Sequence, residues 1–398
     1  LATTAFAIRR VVVLPQHTQW LAAPARVGEQ GHDRLTLEVS EAIPADLGFC
    51  MKGGRSMEGQ QAPAQASRSR GALYGLYIAD ALAMPVHWYY DRQALFRDYG
   101  RVADYLAPKN PHSDSILWRS SYTAPNRKGE ILHDQARHWG KRGVHYHQFL
   151  QAGENTLNLQ LCSLLIESLN ESGLYNPADY LQRYLHFMTF PGMHRDTYIE
   201  ECHRHFFSQY ALGFPPEQCG ALEKHIGGLV GIVPLVVHYQ EDPGTAYDAA
   251  MTHLALTHKG SQMEDAGRLI IHLLLRALKG ESLKQVILDS IQQQTSPLLG
   301  HPFQAWLRKS DESVVGGQLS TACYVVDSVP AAIYLALKYA DQPENGLIVN
   351  TNLGGDNAYR GAVLGALLGA ANGVEAFPER WIRGLVKPPP ELELGKRR

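Results

Sequence analysis

A chain of 398 residues, 45% hydrophobic and 19% charged, carries apolar material for one large core or two ordinary domains. Its net charge of −2 excludes the basic surplus that a nucleic-acid-binding face needs. No apolar run approaches the roughly 18 residues of a membrane span, and the longest, residues 226–237, is broken by Pro234.

In chain order, residues 1–66 differ from the rest. No acidic residue precedes Glu29, whereas Arg9, Arg10 and Arg26 are present. The segment reads either as an organellar transit peptide or as a stretch upstream of a start at Met51 or Met57, which leaves a cytoplasmic protein. Residues 53–69, rich in Gly, Gln, Ala and Ser, read as a flexible lead-in. One domain is expected over 67–386, with a peripheral tail over 387–398. Cysteines at 50, 162, 202, 219 and 323, odd in number and without a C-x-x-C pair, read as free thiols.

The first helix is expected over 71–84, closed by Pro85. Gly71, Gly75, Ala79 and Ala83 are four apart and share one helical face. Asp80 sits inside this apolar run, where a carboxylate is costly unless paired; it either braces a neighbouring helix or supports a site. His87-Trp88-Tyr89-Tyr90 then offers an imidazole and three aromatic faces, either as the wall of a pocket for a planar ligand or as packing. A loop-rich insertion is expected over 98–144. His145-x-His147 offers two imidazoles, more often solvated or core residues than metal ligands.

Gly153-Glu154-Asn155-Thr156-Leu157-Asn158 opens a leucine-periodic helix, with Asn155 or Thr156 as the N-cap. Further helical periodicity runs through Leu269, Ile270, Leu273, Leu274 and Ala277, and through Val329, Ala332, Ile333 and Leu337. Strand signals are few and short, so the fold class expected is all-α, a compact multi-helix domain.

The most telling stretch is Gly354-Gly355-Asp356-Asn357-Ala358-Tyr359-Arg360, followed by a helix with Gly361, Gly365 and Gly369 on one face. Glycine in a helix interior costs up to about 1 kcal/mol per residue, so three in a stripe imply close approach of another helix. The loop presents Asp356 and Asn357 at that helix's N-terminus, where backbone N–H groups orient polar ligands. Arg360, one turn on, either replaces a lost cation and grips a ligand or forms a surface salt bridge.

Three motifs together resemble the ADP-ribosylglycohydrolase family, which includes the dinitrogenase-reductase-activating glycohydrolases and the jellyfish lens crystallins. Ala79-Asp80-Ala81-Leu82-Ala83-Met84-Pro85-Val86-His87 is similar to the family's Gly-Asp-Ala-Leu-Gly-x-Pro-x-Glu. Gly153-Glu154-Asn155-Thr156 falls at its Thr-Asp-Asp-Thr run, and residues 354–359 at its Gly-Gly-Asp-Thr-Asp-Thr run. Thr257-His258 and Phe377-Pro378-Glu379-Arg380-Trp381 also fit, and the resemblance covers about residues 70–385.

In that family the two acidic runs hold a pair of magnesium ions at the scissile glycosidic bond. Here Asn155, Ala358, Tyr359 and His87 replace the usual groups. The resemblance therefore implies at most one weak ion, Mg2+ or Mn2+, on Glu154 and Asp356, or none. It implies a hydrolase acting at the anomeric carbon of an ADP-ribosyl or related ribosyl compound. Glu154, Asp356 and His87 are expected to be catalytic. Asn155, Thr156, Asn158, Gly354, Gly355, Asn357, Arg360, Trp88 and Tyr89 are expected to bind the ligand, with Asp80 in support. The alternative is a non-catalytic ADP-ribose or nucleotide binder, or a crystallin-like structural protein. The expected partner is a small-molecule or ADP-ribosylated substrate, with neither nucleic acid nor membrane.

Overall fold

A computed structural model describes residues 63–112, 114–115 and 117–393; the readings of residues 1–62 and 394–398 lie outside these. Helices come in the order α1 (Gln65–Ala83), α2 (Arg92–Tyr99), α3 (Leu157–Ser172), α4 (Pro177–Thr189), α5 (Glu201–Ala211), α6 (Val233–His238), α7 (Pro243–Ala255), α8 (Ser261–Leu278) and α9 (Leu283–Gln292). After the short α10 (Phe303–Trp306) and α11 (Asp311–Val314) come α12 (Val325–Lys338), α13 (Pro343–Asn352), α14 (Asn357–Asn372) and α15 (Glu379–Gly384). The only strands among the described residues, β1 (Ala221–Leu222) and β2 (His258–Lys259), form one short parallel pair. The fold is all-α, and no described helix is long and apolar enough to cross a membrane.

The hub is α1 against α14, flanked by α12, α13 and α8. The glycine stripes explain the closeness of this pair. A methyl built on Gly365 would meet the Gly75 carbonyl, one on Gly75 the Gly365 carbonyl, and one on Gly71 the Gly369 carbonyl. Both helices are buried through almost their whole length, so neither reads as amphipathic and the stripe is the more useful sequence signal.

Two boundaries differ from expectation. The first helix begins at Gln65, so 65–69 are helical rather than a flexible lead-in, with Ser69 buried against Gln240. At the other end, 386–393 pack on the domain: the Val386 amide donates to the Gly153 carbonyl, Asn170 bonds the backbone of Glu391 and Glu393, and Leu392 is buried. Among the described residues, the expected loop-rich insertion has no helices but short 3₁₀ turns between Gly100 and the start of α3.

Candidate active site

The Gly354–Gly355 loop is left-handed at both residues, φ +69° and +67°, where only glycine is unstrained. It is pinned from both sides. The Gly355 amide donates to the Tyr89 carbonyl (2.7 Å), the Trp88 amide to the Gly355 carbonyl (2.7 Å), and the Asp356 amide to the Thr321 carbonyl (2.8 Å). These bonds set the 86–90 turn and the 320–324 segment on either side of Asp356. The carboxylate makes no capping bond to its own helix. It turns instead to His87.

A buried chain of four groups follows. His87 Nε2 lies 3.0 Å from Asp356 Oδ1, His87 Nδ1 lies 2.7 Å from His147 Nε2, and His147 Nδ1 lies 2.7 Å from Asp196 Oδ1. Asp196 Oδ2 accepts the Leu157 amide at the start of α3 (2.9 Å). The two imidazoles are coplanar within 2° with centroids 5.0 Å apart; with nitrogens at 2.7 Å they meet edge to edge in one plane, not stacked. All four residues are fully buried.

Proton counting constrains this chain. Each outer nitrogen faces a carboxyl oxygen, which accepts from a ring N–H or, when protonated, donates to a bare ring nitrogen. Three hydrogen bonds need three protons and two neutral rings supply two, so the chain with every bond made holds one further proton. Burial, ahead of the hydrogen bond to Asp356 and its charge, lowers the His87 pKa. His145 stays outside the chain. Its Nε2 donates to the Pro85 carbonyl and its Nδ1 accepts the His147 amide, and burial holds it neutral.

A second buried carboxyl, Glu200, stands at the N-cap of α5. Its Oε2 accepts from Asn158 Nδ2 (2.5 Å), whose Oδ1 meets His203 Nε2 (3.0 Å), and His203 Nδ1 meets the Tyr184 hydroxyl (2.7 Å). Burial first, then the neighbouring Asp356 charge, pushes the Glu200 carboxyl up to about 8. Gly227 makes room for it, since a methyl there would stand 2.9 Å from Glu200 Oε1. Asp356 Oδ2, also buried, has no hydrogen-bond partner. Neither Asp196 nor Glu200 belongs to a recognised motif; the signal for them is two acids four apart, leading into the aromatic-rich α5.

The remaining expected site residues divide. Asp80 accepts from Asn155 Nδ2 (2.9 Å), the Thr156 amide (2.9 Å) and Thr156 Oγ1 (2.7 Å), with burial raising its pKa to about 6. Asn155 is therefore a brace between α1 and α3, not a helix cap, and the first amide of α3 is capped from afar by Asp196. Glu154 does not join Asp356 in a shared contact: its carboxylate takes Arg195 Nη2 (2.7 and 2.9 Å) and the Gln151 amide (2.9 Å). Arg360 does not bridge Asp356 at the surface, and its Nη1 is buried without a hydrogen-bond partner. The residue is fully buried, donating to Asn350 Oδ1 (2.8 Å), the Asn350 carbonyl (3.3 Å) and the Gly354 carbonyl (2.9 Å), and burial lowers its pKa to about 10. Asn357 likewise staples backbone, donating to the Thr351 and Val86 carbonyls. Trp88 and Tyr89 are buried packing. Trp88 meets Tyr146 and Tyr198 edge-on, and Tyr89 stacks on His112. The half-exposed Tyr90, and Cys323, lie within electrostatic reach of Asp356.

A model of the family described as ADP-ribosylglycohydrolase matches residues 61–396. The chain belongs to the ADP-ribosylglycohydrolase family. Among solved structures, one titled "ADP-ribosylglycohydrolase-related protein complex" is similar in fold, with a TM-score of 0.55 and 22% identity, over 81% of this chain and 93% of that one. No curated protein matches the chain.

The residues here do not fit the two-magnesium centre built on the acidic runs that these motifs resemble. Ala358 offers no donor, Glu154 is held by Arg195, and Asp80 is saturated by Asn155 and Thr156. The Tyr359 phenol, its pKa raised well above normal by burial and then by Glu200, Asp80 and Asp196, stands among those carboxyls. Asp356 has one oxygen committed to His87. What is left for a hard cation is Asp356 Oδ2 beside Glu200, too little charge for two ions. The buried group Glu200, Cys202 and His203 adds no site, because both His203 nitrogens are already paired.

Proposed function

We propose that this family member hydrolyses a bond at the anomeric carbon of an ADP-ribosyl or related ribosyl compound, with Asp356 and Glu200 as the working carboxyls. The supporting observation is the pairing of Glu200, held protonated near neutral pH, with Asp356, whose Oδ2 is buried and unpartnered. A carboxyl that keeps its proton near neutral pH, close to a second carboxyl, is what glycosidic cleavage needs. Glu200 would protonate the leaving atom. Asp356 would face the oxocarbenium-like centre or the attacking water. The His87–His147–Asp196 chain would orient Asp356 and take up or return a proton through His87. Glu154, in this reading, fixes the loop before α3 through Arg195.

A second reading, a non-catalytic ADP-ribose or nucleotide binder or crystallin-like protein, draws on the complete burial of Asp356 and His87. Turnover of ADP-ribosyl-arginine, ADP-ribosyl-serine and O-acetyl-ADP-ribose, with and without chelator, separates the two. Hydrolysis that persists in chelator, falls at least a hundredfold in Glu200→Gln and Asp356→Asn, and survives Glu154→Gln is the expected result. Binding of ADP-ribose without turnover of any substrate would favour the second reading. Activity abolished by chelator and by Glu154→Gln alike would restore a metal centre on Glu154.

A further inference from the structure

A separate cluster lies along an open groove of about 510 Å3 lined by Glu201, His205, Glu223, His225, Lys259 and Tyr324, among others. Glu201 and His205 are four apart on α5 and both half-exposed; Glu223 follows β1 and its side chain is 4% exposed. Donor atoms of Glu201, His205 and Glu223 lie within 4.8 Å of one another.

The two sides of the His205 ring are not equivalent. Nδ1 is 2.8 Å from Glu223 Oε1, a normal hydrogen bond, and the other Glu223 oxygen is held by His225 Nδ1 at 3.1 Å. Nε2 is 3.5 Å from Glu201 Oε1, too long for an N–H···O bond. A carboxylate that fixes the proton on Nδ1 leaves a lone pair on Nε2, as in histidines that ligate metals. A tetrahedral ion with bonds of about 2.0–2.1 Å sets neighbouring ligands about 3.4 Å apart, which matches the Nε2–Oε1 separation. The groove leaves room for waters to complete the shell.

We propose that Glu201, His205 and Glu223 form a site for a zinc-class divalent cation. Glu201 and His205 are the ligands, and Glu223, its two oxygens on His205 Nδ1 and His225 Nδ1, orients the ring. Imidazole with carboxylate selects zinc over magnesium, which prefers an all-oxygen shell. The site would tie α5 to the segment after β1. That segment pairs with the chain after Thr321, through the Ile226 amide on the Cys323 carbonyl and the Val325 amide on the Lys224 carbonyl, and Thr321 in turn holds the Asp356 amide.

The test uses full-length protein stripped with chelator and dialysed. Calorimetry with Zn2+ and visible spectroscopy with Co2+ should show one ion per chain in a tetrahedral field, and Zn2+ should raise the thermal midpoint. His205→Ala and, as a second variant on the same exposed face, Glu201→Gln should each lose at least about tenfold in affinity and the zinc-dependent rise in midpoint, while Asp356→Asn keeps both. Absence of binding at millimolar zinc would mean an imidazole between two carboxylates and nothing more, and would overturn the proposal. Binding that survives both groove variants, or that Asp356→Asn abolishes, would overturn it equally.

Discussion

Replacing Gly365 by alanine isolates the contact on which the fold is hung. The added methyl would stand 2.6 Å from the carbonyl carbon of Gly75 and 3.0 Å from Ala79 Cβ, against about 3.5–4.0 Å for carbon atoms in contact. The obstacle is backbone of α1, which cannot rotate aside, so the helices must part by close to 1 Å. At such a gap each atom pair forfeits about a quarter to a half of a well of about 0.1–0.2 kcal/mol. At the upper end, half of the well, about 40 pairs between two helices amount to roughly 2–4 kcal/mol. The helix-propensity gain of alanine over glycine returns up to about 1 kcal/mol, which leaves a net loss of about 1–3 kcal/mol, the usual range for overpacking. With an unfolding entropy of about 2.1 cal/mol/K per residue over roughly 330 residues, the midpoint should fall by about 2–4 °C. Gly365→Leu should fall further or fail to fold. Gly244, exposed near the start of α7 with no atom closer than 3.6 Å to an added methyl, is the control, and Gly244→Ala should be neutral or slightly stabilising. Differential scanning calorimetry reads all three. A Gly365→Ala midpoint equal to or above wild type would show that the helices do not rest on each other's glycines.

Glu200 binds its proton more tightly in the folded chain, at about 8 against an ordinary value of 4.5, so its contribution is fully present at low pH and is lost as pH rises from about 4.5 to 8. Denaturant titrations across that window should show stability declining by a few kcal/mol in wild type and less steeply in Glu200→Gln; parallel slopes would remove Glu200 as the titrating group. Arg360→Lys keeps the charge but carries its three donors on one nitrogen, which cannot stand where both Nε and Nη2 stand, and it leaves buried acceptors unpaired. A loss of about 2–4 kcal/mol in stability is expected, whereas normal stability with weakened ADP-ribose binding would return Arg360 to the ligand.

Composition and pattern were enough for much of this protein. Helical periodicity at Leu157–Ser172, Ser261–Leu278 and Val325–Lys338 expresses local backbone preference and apolar spacing, which are readable within a dozen residues. The glycine stripes at 71–75 and 361–369 announced a helix pair because no other contact repays three glycines in one helix. The Gly-Gly-Asp-Asn loop was legible as a site for the same kind of reason: paired glycines next to an acid serve a backbone conformation that few other residues adopt. What chemistry that acid meets was not local information. His87 reaches Asp356 across 269 positions, His147 reaches His87 across 60, and Asp196 reaches His147 across 49. Asp356 and Glu154 both follow a glycine at the mouth of a helix, yet one side chain turns inward to an imidazole and the other outward to Arg195. The direction of each was decided by backbone carbonyls and charges brought from distant segments, Thr321 and Tyr89 for the one loop and Arg195 for the other. Arg360 shows the same division: its spacing from Asp356 was visible, but the carbonyls of Asn350 and Gly354 claim its donors, and only tertiary packing brings unpaired acceptors and a buried guanidinium together.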